Sequence, residues 1–191
     1  MISGAVRDDL IARYREPLRR YHTMAHIEDC LAQAETSTDL GPEARALLKT
    51  ALWFHDAIYD PQRTDNEAAS AHLAVETLRS MGRPEAEIAE IERLILLTAG
   101  HAVAADDMLG ARLVSIDLSI LGAPPARYDA YARDIRAEYG HVPEALYRPA
   151  RAAILGHFLE AERLFPDPVW ATRLEARARD NLRREIASLT S

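Results

Sequence analysis

Trp53-Phe54-His55-Asp56-Ala57-Ile58-Tyr59-Asp60 sets an imidazole and a carboxylate side by side inside an apolar run. Extended back through the chain, the run reads as a helix, with Leu48, Leu52, His55 and Tyr59 on one stripe at spacings of three and four. His55 then points toward the core, and Asp56 sits about 100° round the same helix. Neighbours on a helix do not normally face one target. They converge where the gap between them aims at a small central object. A divalent cation is such an object, because it takes a neutral imidazole and an ionised carboxylate together. Stripping a buried aspartate of its partner costs on the order of 3–5 kcal/mol. Taken alone, the pair reads better as a hydrogen-bonded core histidine beside a solvated aspartate; the rest of the chain reverses that preference.

Outward from this stretch, the sequence spells helices separated by proline, glycine and short polar turns. Val6, Leu10, Ile11 and Tyr14 mark a short first helix that Pro17 interrupts. A second is expected over Thr23–Glu35, with Ile27, Cys30, Leu31 and Ala34 as its apolar face. Pro42 opens a third, which carries His55 and Asp56 and is expected to stop near Asp60-Pro61. Thr64 or Asp65 caps a fourth through Met81, and Glu85–Thr98 forms a fifth ended by Gly100-His101. A sixth spans roughly Asp107–Leu121 with Gly122 as its stop, Pro124-Pro125 opens a seventh through Tyr139, Pro143 a long eighth through Phe165, and Val169–Leu189 is the last. No segment alternates with period two, so the expected class is all-α, a helical bundle.

The anomaly of helix three recurs. Asp117 sits in the middle of the stripe Leu113, Ile116, Ile120, Leu121, and His26 lies one turn before Cys30 on the apolar face of helix two. Each alone is an ordinary buried polar group awaiting a hydrogen bond. Together, two imidazoles and two carboxylates from three helices balance a divalent ion and leave coordination positions open.

Composition bounds the alternatives. The chain has 191 residues, 48% hydrophobic and 28% charged, which suits one domain with a full core. A net charge of −7 argues against a protein that neutralises a long run of nucleic-acid phosphates. Cys30 is the single cysteine, which excludes an intrachain disulfide and makes a reducing, cytoplasmic setting the expectation. No run approaches the ~18 apolar residues of a membrane span.

The order His26 … His55-Asp56 … Asp117 resembles the HD domain superfamily of metal-dependent phosphohydrolases. The longer words are similar to one bacterial family of predicted phosphohydrolases within it. They are Tyr21-His22-Thr23-Met24-Ala25-His26-Ile27, Trp53 to Pro61, Asn66-Glu67 with Ser70-Ala71, Ile116 to Gly122, and Tyr131 with Ile135 to Tyr139. Many relatives carry an aspartate where this chain has Ser115. The resemblance, from about residue 10 to 165, implies a single HD-type domain over residues 1–191, its metal-site core at about 20–122 and C-terminal helices at about 124–189 packing on it. It implies His26, His55, Asp56 and Asp117 as ligands of one divalent ion (Mn, Fe, Co, Ni, Zn or Mg), Asp56 and Glu67 in catalysis, and hydrolysis of a small phosphoester, a nucleotide among the options, by a metal-activated water. His22, Asn66, His101 and Arg136 are weaker expectations for substrate contacts. Their plainer readings are a cap or surface histidine, first-turn capping, a helix-end histidine and an ordinary ion pair. Two other classes stay open, a non-catalytic metal- or ligand-binding HD module and a di-iron HD oxygenase. His101, far along the chain from Asp117 and expected near the turn before helix six, argues for one ion over two.

Overall fold

A computed structural model describes residues 2–191. Among them every regular element is helical, and the protein is all-α. They form two compact units, one through Leu113 and one from Val114 to Ser191.

The first unit holds α1 (Gly4–Arg13), α2 (Met24–Glu35), α3 (Pro42–Phe54), α4 (Asn66–Ser80) and α5 (Glu85–Leu96), the last extended by a 3₁₀ turn over Leu97–Ala99. Ser3 starts α1 by accepting the Val6 N–H, and Pro42 opens α3 where a missing N–H costs nothing. Apolar residues spaced by three and four are fully buried: Ile27, Cys30 and Ala34 of α2, Leu48, Ala51 and Leu52 of α3, Ala71, Ala74 and Leu78 of α4, and Ile88, Ile91 and Ile95 of α5. These stripes pack α3 against α2, α4 and α5, and α4 against α5. Gly82, at φ 70°, ends α4; the Arg83 N–H returns to the Leu78 carbonyl at 3.1 Å, the bond of a left-handed helix stop.

The boundary between the units falls inside α6, one unbroken helix over Met108–Asp117. Asp107 accepts the Gly110 N–H at its first turn, and the buried Arg112 guanidinium grips both oxygens of Asp39 at 3.0 and 2.7 Å. The second unit continues with a 3₁₀ turn over Leu118–Gly122, α7 (Pro125–Glu138), α8 (Glu144–Glu160) and α9 (Pro168–Thr190). Helix α9 packs on α8, on α7 and on the 3₁₀ turn.

Three expected helix ends are corrected; at the ends of α3 and α8, side chains from elsewhere take the backbone groups that would have continued the helix. Helix α3 stops at Phe54, not near Asp60. The Asp56 and Ala57 carbonyls accept from Arg19, and the Ile58 and Asp60 N–H groups donate to Ser70 and Asn66. The α-helical part of helix six stops at Asp117; the Leu121 and Ala123 carbonyls accept from the buried Asn181 carboxamide at 2.8 and 2.9 Å. Helix α8 stops at Glu160, short of Phe165, because the Glu175 carboxylate binds the Leu164 and Phe165 N–H groups while Arg179 binds the Leu159, Ala161 and Glu162 carbonyls.

Candidate metal centre

His26 lies in the first turn of α2 and is buried. His55 caps the C-terminus of α3, its own N–H bonded to the Ala51 carbonyl at 2.9 Å. Asp56 is the first residue beyond that cap. Its position resolves the problem posed by adjacent residues on a helix: the chain leaves α3 at this point, and Asp56 Oδ2 turns back to lie 3.0 Å from His55 Nε2 and 3.6 Å from His26 Nε2. The two Nε2 atoms are 3.2 Å apart. Asp117 is the last residue of α6 and lies in the second unit.

Hydrogen bonding fixes what these atoms offer. His55 Nδ1 lies 3.0 Å from the Leu52 carbonyl, which only accepts, so Nδ1 carries the proton. A neutral His55 therefore turns a lone pair toward the Asp56 oxygen. Two acceptors at 3.0 Å repel unless a positive charge stands between them, either a second proton on His55 or a cation at the focus of the three atoms. His26 Nδ1 pairs with the Tyr21 hydroxyl at 3.0 Å, which orients its ring, and Cys30 Sγ lies beneath that ring at 3.7 Å from Nε2. Burial pushes the Asp56 carboxyl up; when His55 carries the second proton, its charge and hydrogen bond, then the charges of His22 and His26, outweigh burial and hold the carboxyl well below the usual range.

The other expected site residues fall in different places. His22, half-buried, stacks on Tyr59 with ring centroids 4.0 Å apart. Asn66 clamps the turn after Asp56: its amide accepts from the Asp60 N–H at 3.0 Å and donates to the Asp60 carbonyl at 2.9 Å. Glu67, beside it in the first turn of α4, is half-buried. His101 has φ 56°, and its N–H returns to the Leu97 carbonyl at 2.8 Å. The left-handed stop of helix five is thus His101 and not Gly100. Arg136 spends its guanidinium on Glu144 and the Tyr139 and Val142 carbonyls, holding the α7–α8 connection. Ser115 accepts the Asp167 N–H at 2.9 Å.

Arg19 and Tyr14 escaped the sequence reading. Arg19 is buried and donates to the carbonyls of His22, Asp56 and Ala57. Tyr14 donates to the Trp53 carbonyl at 2.9 Å, and burial, then the Asp56 charge, raise its hydroxyl pKa. Arg19 follows Pro17 in an irregular segment, where no periodicity marks which of Arg19 and Arg20 turns inward.

No protein-family model, no curated protein and no solved structure matches this chain. Among the described residues no helix is long and apolar enough to cross a membrane.

Proposed function

We propose that the chain is a metal-dependent phosphohydrolase of the HD superfamily, acting on a small phosphoester such as a nucleotide. One observation carries the reading: His26 Nε2, His55 Nε2 and Asp56 Oδ2 converge within 3.6 Å, with the His55 proton committed to the far side of its ring. That donor set, two imidazoles and a carboxylate, fits a divalent first-row ion, with Asp117 the fourth ligand that the resemblance implies. When bound, such an ion supplies Lewis acidity, lowering the pKa of a water and drawing charge from a phosphoryl oxygen.

The chain's own residues do the positioning. The Leu52 carbonyl fixes the His55 tautomer, and the Tyr21 hydroxyl orients His26. Positive charge facing Asp56 holds its carboxyl ionised, available to bind an ion or to accept a hydrogen bond from water. Ser70 and Asn66 hold the turn that carries Asp56 onto the start of α4. Glu67, on that same first turn, is assigned proton transfer, and His22 a substrate contact.

Protein purified without chelator and assayed for metal, then screened against phosphomonoesters, phosphodiesters and nucleotides, tests the reading. About one ion per chain with metal-dependent phosphate release supports it. One ion with no turnover of any phosphoester favours a binding module, and about two redox-active ions per chain favour oxygenase chemistry. A chain that binds no divalent ion overturns all three.

A further inference from the structure

Arg19 is a charged side chain buried in the first unit, 4% exposed, and it contacts no metal-ligand side chain. Its Nη1 donates to the His22 carbonyl at 3.1 Å and the Asp56 carbonyl at 2.7 Å, and its Nη2 to the Ala57 carbonyl at 3.0 Å. Nε reaches the exposed Glu16 carboxylate at 3.1 Å. The guanidinium also lies over the rings of Tyr14 and Tyr59, at 5.2 and 5.6 Å. These contacts join two stretches far apart in sequence. One leads into α2 and His26; the other is the turn that carries Asp56 away from His55.

We infer that Arg19 is a positioning residue that sets the separation of His26 from Asp56 by strapping together the backbones that carry them. The inference rests on the metal reading above for its functional meaning. The physical case is specific to arginine. One planar group donates to three carbonyls from two segments, and a lysine ammonium at the end of a flexible chain does not hold that spacing. With the strap gone, the Asp56 and Ala57 carbonyls lose this donor, while Ser70 and Asn66 still hold the turn from its far side. Asp56 then swings relative to His26, while His55, anchored on Leu52 within α3, stays in place.

Arg19→Lys, compared with the unaltered protein, separates this role from a general loss of packing. In metal-free protein, hydrogen exchange of the Ala57, Ile58 and Asp60 amides is expected to quicken by about tenfold or more while amides of α5 keep their protection. Affinity for Co²⁺, read by competition with a chromophoric chelator, is expected to fall about 10–100-fold, with a changed Co²⁺ absorption spectrum. Unchanged exchange in the 57–60 turn overturns the inference whatever the metal does. Quickened exchange in a protein that binds no Co²⁺ keeps the strap and sinks the metal reading instead. If Arg19→Lys does not fold, Glu16→Gln decides, since it loosens the guanidinium from an exposed position. It is expected to quicken exchange of the same three amides, and identical exchange there overturns the inference.

Discussion

Arg151 and Glu185 in the C-terminal unit are nearly as buried as His26 and His55 in the N-terminal one, yet the two clusters are wired differently. The Arg151 guanidinium donates to the Glu185 carboxylate at 2.8 Å and to the Tyr131 hydroxyl, and the Tyr128 hydroxyl donates to the same carboxylate. The guanidinium and the carboxylate are paired, and their charges cancel. Burial and the Glu185 charge push the Tyr128 hydroxyl far above its ordinary pKa, which keeps it a donor. In the His26–His55–Asp56 cluster a neutral His55 faces the Asp56 carboxylate with a lone pair across 3.0 Å, so a proton or a cation must stand between them. Burial alone therefore does not separate a site from a strut. The match of donors to acceptors does: a balanced cluster is complete, and an acceptor-rich one calls for a ligand.

The largest expected effect breaks the acceptor-rich cluster. Asp56→Ala and Asp117→Ala each abolish metal retention, measured as ions per chain by elemental analysis. Full metal content in either variant removes that residue from the ligand set. Next comes the balanced cluster. Arg151→Met leaves the Glu185 charge buried without its guanidinium and is expected to destabilise the protein by about 3–5 kcal/mol in chemical denaturation, with metal content unchanged. A concurrent loss of metal would collapse the distinction between the two clusters.

Chelation sharpens the contrast from the other side. An ion at about 100 times its dissociation constant contributes roughly 2.7 kcal/mol to the native state. Its removal is expected to lower the melting temperature by about 5–10 °C, on the usual 2–4 °C per kcal/mol for a chain of this size. The same chelator leaves the melting temperature of Asp56→Ala where it was. The smallest effect belongs to a pair outside both clusters. The Arg112 hydrogen bond holds the Asp39 carboxyl below its ordinary value of 3.8. A depressed folded pKa contributes stability that is complete above the ordinary value and is lost as pH falls through the folded one. Asp39→Asn is thus less stable than the unaltered protein at pH 6, and the two converge in denaturant titrations as pH falls below the ordinary value and through the depressed one. A gap that stays constant with pH would assign the effect to packing.

Much of this was legible beforehand. The apolar stripes placed all nine helices among the described residues, and polar residues interrupting those stripes pointed to His26 and His55, whose rings meet. What periodicity missed was where the stripes stop. The end of α3 depends on Arg19, Ser70 and Asn66, each reaching from another segment, and the end of α8 on Glu175 and Arg179 of α9. A local pattern carries no information about such donors. Asn66, expected from the resemblance as a substrate contact, grips the turn that carries Asp56.

Cys30 lies under the His26 ring, 1% exposed, and is the sole thiol of the chain. It is therefore a built-in chemical clock for the helix that carries His26. An alkylating reagent reaches it only when α2 opens, so in the fast-reclosing regime the labelling rate, divided by that of a free thiol, gives the opening equilibrium directly. Run with and without added ion, one mass-spectrometric time course reads how tightly the ion locks α2, without mutation or an attached probe.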